Sequence, residues 1–368
     1  MSSKQDIQKL IASYHGFLNP ILDYEKNFNE FSDFIKHIFE QFSVDDSIDI
    51  SKELLEFREN LDDSYENQEL VPLIQHLKTI KQPAQRTPEW YEYRNNRLTA
   101  SDMGTAMGVN PYSKRNKLIA IKCGYKDTFY AGAAVKHGIK YEDVAIHIYE
   151  KRNNVSIFEY GCISHPTIPH FGASPDGICD SDSVNKKYIG RMLEIKCPKS
   201  RVINEFIPVH YELQVQGQLE VCNLEYCDYL ECSIKEYDNQ QEFLDDSQDT
   251  IMKTKSSMEK GVVIETYIPN LDKNTYYYLY DYENKEEVDS WEEETKKNMK
   301  EVYIKTTYWW LDVYCVKLVK RDKTRFDNIL LPEINSFWDD VLKYRECGYE
   351  SLVKKHKPKE LNFLPDSP

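Results

Sequence analysis

Apolar side chains recur at helical spacing through the first 80 residues, with Phe31, Phe34, Ile35, Ile38, Phe39 and Phe42 on one stripe. This predicts a helical N-terminal extension over 1–80, interrupted by an acidic interval at 45–69 and resuming from Leu70 to Ile80. Two prolines, Pro83 and Pro88, break the pattern, so 81–88 reads as a linker. Thr87-Pro88-Glu89 has the form of a helix start, Ser101-Asp102 reads as the cap of a second short helix, and Ser113 as the cap of a third ending near Cys123. A longer helix is predicted over 135–152.

Strands are then expected at 155–160, around Ile178 and at 187–196, with the polar turn 180–185 folding the last two into a hairpin. Helix returns at 209–223 and strand at 226–234, and the polar stretch 237–260 reads as a loop plus a helix. Further strands are predicted at 262–267, 276–282 and 306–319, a charged helix at 289–302, and a closing helix at 326–344. The tail from Lys354 is charged and reads as frayed. This order predicts an α/β fold: a mixed central sheet flanked by helices over 81–368, following the helical extension.

Chemistry enters at Ser174-Pro175-Asp176-Gly177 and Glu194-Ile195-Lys196. Alternation along a strand places Glu194 and Lys196 on one face and turns Ile195 into the core. Two carboxylates from neighbouring strands suit a hard divalent cation that activates water, and Lys196 suits orienting that water or offsetting charge on phosphorus. The layout resembles the PD-(D/E)XK nuclease pattern. Alone, Pro-Asp-Gly is an ordinary turn and E-x-K an ordinary strand edge.

A net charge of −15 argues against nonspecific nucleic-acid coating, although a bound cation and local Lys/Arg groups change the balance at a site. Such groups occur at Lys114-Arg115-Lys117, at Lys136 and Lys140, from Lys196 to Arg201 and from Lys317 to Arg325. The nine cysteines lack the spacing of a disulfide scaffold, and Cys222, Cys227 and Cys232 fit no usual metal-ligand interval, so buried reduced thiols are expected. No apolar run suggests a signal peptide or a membrane span, and the expectation is a soluble intracellular protein.

Three further elements stand in order with the metal motif: Trp90 to Arg94 followed by Leu98-Thr99-Ala100-Ser101-Asp102, then Gly138 to Glu142, and Gln214-Val215-Gln216 after the E-x-K strand. Together they resemble the YqaJ-type viral recombinase, or lambda exonuclease-like, family over roughly 86–236, with viral-type closing strands and helix over 262–346. The resemblance implies a restriction-endonuclease-like PD-(D/E)XK core. It implies metal ligands at Glu142, Asp176, Glu194 and the Ile195 backbone carbonyl, and catalytic roles for Asp176, Glu194, Lys196 and Gln214. It also implies a 5′-phosphate pocket of Arg94, Ser101 and Ser174.

The cofactor so implied is Mg2+, as two ions with Mn2+ able to substitute. The activity is a 5′-to-3′ exonuclease on double-stranded DNA ends for recombination or repair of viral DNA, with a single-strand annealing protein as partner and a homotrimer as assembly. The setting is the cytoplasm of an infected cell, a viral replication site or the virion. A structure-specific or nicking endonuclease, and a non-catalytic DNA-binding or scaffold protein, remain the alternatives. Trp90 reads as core, His137 as packing or support beside the metal ligands, and His165 and His170 as structural.

Overall fold

A computed structural model describes residues 69–126, 132–247 and 250–353. The helices expected over 1–68 and the frayed tail lie outside the described residues. Two compact units divide between Leu73 and Ile74, and the second is described here. Its first residues, 74–79, are helical, with Ile74 and Leu77 buried.

The stretch read as a linker is instead docked on the core, because its glutamines satisfy backbone groups there. Gln82 Oε1 accepts from the Gly161 N–H at 2.7 Å, and Gln85 Nε2 donates to the Tyr160 carbonyl at 2.9 Å. Gly161 is required for this docking, because a Cβ there would collide with the Pro83 carbonyl oxygen.

Helix α1 (Pro88–Asn95) starts as expected, with the Thr87 hydroxyl accepting from the Trp90 N–H. The other two expected caps are not used. Asp102 precedes the short helix Met103–Ala106 without a side-chain cap bond, because its carboxylate is taken by Thr99 and Lys122. Helix α2 (Arg115–Lys122) begins after Lys114, so Ser113 lies one residue too early to cap it. Helix α3 (Ala133–Asn153) is the long one expected.

A seven-stranded sheet holds the core. Its strands are β2 (Ile157–Phe158), β5 (Gly177–Cys179), β6 (Met192–Lys196), β7 (Tyr226–Glu236), β8 (Lys260–Ile268), β9 (Lys273–Leu279) and β10 (Val302–Lys320), in the order β2-β5-β6-β7-β10-β8-β9. The hairpin of β5 and β6 forms as expected, and β7 runs parallel to β6. Parallel pairing needs a crossover, which helix α4 (Val209–Cys222) supplies. A smaller sheet of β1 (Leu98–Thr99), β4 (Phe171–Ala173) and β3 (Ile163–Ser164) was not foreseen, since strands this short carry no readable period.

Helix α3 lays Tyr141, Val144, Ile148 and Tyr149 over Leu193, Ile195, Leu230 and Ile234, which forms the main core. Helix α4 is buried from Leu213 to Cys222, its Gly217 backbone close against Phe171 and Ala100. The last strand is longer than predicted, pairing with β7 through one half and β8 through the other. Helix α5 (Lys285–Asn298) starts earlier than predicted because Asn284 caps it, accepting from the Glu287 N–H. Helix α6 (Leu331–Cys347), entered through a wider turn at Phe326–Leu330, closes the domain. This is the mixed α/β fold the sequence predicts, and no helix among the described residues is long and apolar enough to cross a membrane.

Candidate active site

Strand β6 divides its side chains as alternation requires. Leu193, Ile195 and Cys197 enter the core under α3. Glu194 faces α4 and is fully buried. Such a carboxylate needs donors, and it has three. Gln214 Nε2 donates to Oε1 at 2.6 Å, Gln218 Nε2 to Oε2 at 2.7 Å, and the Lys196 ammonium contacts Oε1. Burial works against the charge of Lys196, but Glu194 and then Asp176 outweigh it and raise its pKa above the ordinary lysine value. The ammonium is thus a fixed positive charge at the site.

Asp176 is anchored by the Ile195 N–H, which reaches Oδ2 at 2.7 Å. Burial, followed by the neighbouring Glu194 and Glu142, pushes its carboxyl well above the usual range. Glu142 belongs to the same cluster from α3, and burial raises its carboxyl too, against the opposing pull of Arg86. Here the structure adds a residue that the sequence reading missed. The Arg86 guanidinium donates to both oxygens of Glu142, at 2.8 and 2.7 Å. Arg86 also adopts φ 63°, a left-handed conformation rare for a residue with a Cβ.

The donor set suits a hard divalent cation: Glu142, Asp176 and Glu194 offer carboxylate oxygens, and the raised Asp176 carboxyl marks a cluster short of positive charge. No three such groups converge at ligating distance among the described residues. The contacts above say why: Arg86 holds Glu142, the Ile195 amide holds Asp176, and two glutamines hold Glu194. The expected ligands share one neighbourhood, where Arg86 competes with any cation for the Glu142 oxygens.

A second cluster forms around Trp90. Arg94 stacks on the indole with its guanidinium carbon 4.2 Å from the ring centre, and its Nη2 donates to the Ser101 hydroxyl at 2.8 Å. The indole N–H donates to the Ser174 hydroxyl at 3.2 Å. Arg94, Ser101 and Ser174 are therefore brought together. Trp90 is a bracket between them rather than the core residue expected, and it stays half-buried because both its ring face and its N–H are used by polar partners.

Residues 89–225 match the family model of the YqaJ-like viral recombinase domain. This stretch holds every site residue described above except Arg86. Over that stretch the chain is similar to the YqaJ-like viral recombinase domain. It is 34% identical over 310 residues to an uncharacterized protein of Acanthamoeba polyphaga mimivirus, a match covering 76% of this chain and 56% of that one. It is 25% identical over 158 residues to a protein of African swine fever virus, covering 37% of this chain and 46% of the other. The chain thus spans about half the length of these curated relatives.

Among solved structures, the chain is similar to an alkaline exonuclease from Laribacter hongkongensis at 18% identity and TM-score 0.40, over 71% of this chain and 95% of that one. A phage-related exonuclease from Haemophilus somnus is similar at 11% identity and TM-score 0.36, over 70% and 96%.

Within and beside the matched stretch, most basic residues nominated by sequence are already paired. Arg201 and Lys317 contact Glu231, Arg321 contacts Glu220, Arg325 contacts Glu212, and Arg115 contacts Asp340. These groups hold the fold together rather than present free charge. His165 is structural as expected, its Nδ1 accepting from the Thr167 and Ile168 amides at 3.2 and 3.1 Å. His170 stacks on Trp338 and meets Asn335. His137 packs edge-on against Tyr141. Gln218 was missed although it follows Gln214 by one helical turn, a spacing that places both on one face. Gln216 turns away to the Lys320 carbonyl.

Proposed function

We propose that this chain is a divalent-metal-dependent deoxyribonuclease that degrades one strand of linear duplex DNA from its 5′ end, leaving 3′ single strands for recombination or repair of viral DNA. One observation carries the reading: Lys196 and Asp176 converge on a buried Glu194 that two glutamines hold. Glu142, Asp176, Glu194 and the Ile195 carbonyl would hold the metal, Mg2+ with Mn2+ as a substitute. A metal there would lower the pKa of an attacking water and stabilise the leaving oxygen.

The chain's own residues supply the rest. Lys196, kept charged by Glu194 and Asp176, offsets negative charge developing on the phosphorus. Gln214 and Gln218 fix the orientation of Glu194. Arg94 with the hydroxyls of Ser101 and Ser174 gathers donors for a terminal phosphate, which carries more charge than an internal diester and so favours ends. On this reading the partner is a single-strand annealing protein, the assembly a homotrimer and the setting an infected cell, as the family resemblance implies.

The test is digestion of linear duplexes bearing 5′-phosphate or 5′-hydroxyl ends, with Mg2+, beside closed circles and Lys196→Ala. Loss of the 5′-phosphorylated linear duplex alone, abolished by the substitution, is expected. Cutting of circles would replace the exonuclease by an endonuclease. Absence of Lys196-dependent cleavage would leave a binding protein.

A further inference from the structure

Three exposed lysines from separate stretches, none in an ion pair among the described residues, converge in one place. A cleft of about 380 Å³ opens between the first turns of α3 and the ends of β7 and β10, lined by Lys136, Lys140, Lys199, Lys235 and Lys305. Glu236 engages Lys140 and Lys305. Lys136, Lys199 and Lys235 are exposed and have no carboxylate partner among the described residues. Two further features face the same cleft, one a partial charge and one an unpartnered polar atom. The N-terminus of α3 opens at Ala133 behind Gly132, which offers no side-chain cap, so its free N–H groups carry partial positive charge. His137 also lines the cleft, nine-tenths buried, with its Nε2 lacking any hydrogen-bond partner.

The cleft's position is set by the elements that build the carboxylate cluster. Lys136 precedes Glu142 by six residues on α3, about 9 Å at ~1.5 Å per residue. Lys235 follows Glu231, the register partner of Lys196, by four residues on β7, about 13 Å at ~3.3 Å per residue. A DNA strand rises about 3.4 Å per nucleotide, so these spans amount to roughly three to four nucleotides. The cleft shares no residue with the cluster around Trp90.

We propose that this cleft binds the sugar–phosphate backbone of the DNA strand under degradation, about three to four nucleotides from the scissile bond. The proposal rests on the nuclease reading and extends it. Lys136, Lys199 and Lys235 neutralise phosphates, while Lys140, tied to Glu236, shapes the cleft wall. Because such contacts read charge and not ends, they act on 5′-phosphorylated, 5′-hydroxyl and circular DNA alike, unlike the Arg94 cluster.

The experiment measures duplex binding against salt in a Lys196→Ala background, with and without Lys136→Gln, Lys199→Gln and Lys235→Gln together. These three side chains are exposed, so folding should survive, and unchanged thermal denaturation verifies it. Each lost phosphate contact removes about 0.9 from the slope of log affinity against log salt, so the triple variant should be shallower by about 2–3 on every DNA form. Lys273→Gln with Lys297→Gln, exposed lysines outside the cleft, should leave the slope at its parent value.

An unchanged slope in the triple variant, or an equal loss in the control, overturns the cleft. An effect confined to 5′-phosphorylated ends also overturns it. The nuclease reading fails separately, if the unsubstituted chain does not cleave DNA.

Discussion

Replacing Arg86 by glutamine should move two quantities in opposite directions. Arg86 donates to both oxygens of Glu142 at 2.8 and 2.7 Å, with the two side chains 34% and 25% exposed. Hydrogen bonds to a charged group contribute about 1.5–3 kcal/mol, and this partial exposure places the pair at the low end, about 1.5 kcal/mol. At roughly 2–4 °C per kcal/mol, the metal-free variant should melt about 3–6 °C lower. A cation entering the parent competes with the guanidinium for Glu142. The variant removes that competitor and leaves Glu142 beside Asp176 and Asp143, whose charges favour a cation. The same 1.5 kcal/mol returned to metal binding makes Mg2+ or Mn2+ bind about tenfold tighter.

Thermal denaturation in chelator gives the first quantity and calorimetric titration of Mn2+ into the chelator-stripped chain gives the second. Glu142→Gln in combination with Arg86→Gln should abolish the gain in affinity, since the released ligand is then absent. The reasoning is refuted if Arg86→Gln melts lower and binds metal equally or more weakly. In that case Arg86 supports the loaded site instead of competing for it.

Gln218→Leu should cut kcat about tenfold, because Glu194 Oε2 loses its donor, and the Ser174 carbonyl, 3.3 Å from the same amide, loses a weaker contact; an unchanged kcat would remove Gln218 from the site. Gly161→Ala drives a methyl against the Pro83 carbonyl oxygen, so it should destabilise the domain by about 1–3 kcal/mol. Amide exchange should then rise across 82–86, the stretch that delivers Arg86, and protection at the parent level would count against that docking. Glu259 supplies a pH dependence: burial pushes its carboxyl up, but hydrogen bonds from Arg152 and Lys253 outweigh it and hold it at about 2, below the ordinary 4.5. A depressed folded pKa gives stability that is full above the ordinary value and lost as pH falls toward about 2, so the melting-temperature gap between the parent and Glu259→Gln should close across that window.

The site was legible where local periodicity sets geometry. Glu194, Ile195 and Lys196 follow from strand alternation, and Asp176 from a turn beside the neighbouring strand. Arg86 was not legible, because its partner lies 56 residues away and its own stretch, between two prolines, has no period to read. Gln218 carried a usable signal, the one-turn spacing from Gln214. Trp90 misled for a different reason: a large aromatic ring usually marks a core, but this one is used from outside, by a guanidinium on its face and a hydroxyl at its N–H. The caps failed by small margins, since Asp102 had a stronger partner in Lys122 than any helix amide offered.

Charge shows most clearly why composition is a poor guide to a site. A net charge of −15 argues against a nucleic-acid surface only if acid and base are spread evenly. They are not, and runs of lysine and arginine do not show where the free charge lies. The run from Lys317 to Arg325 is largely consumed by Glu231, Glu220 and Glu212. Lys136, Lys199 and Lys235, from three separate stretches, meet in one cleft without an ion pair among the described residues, because its two carboxylates are already engaged, Glu236 by Lys140 and Lys305 and Glu265 by Asn274. An acidic chain can therefore present a basic cleft next to its own carboxylate cluster, the arrangement that a polyanionic substrate and a bound cation together require.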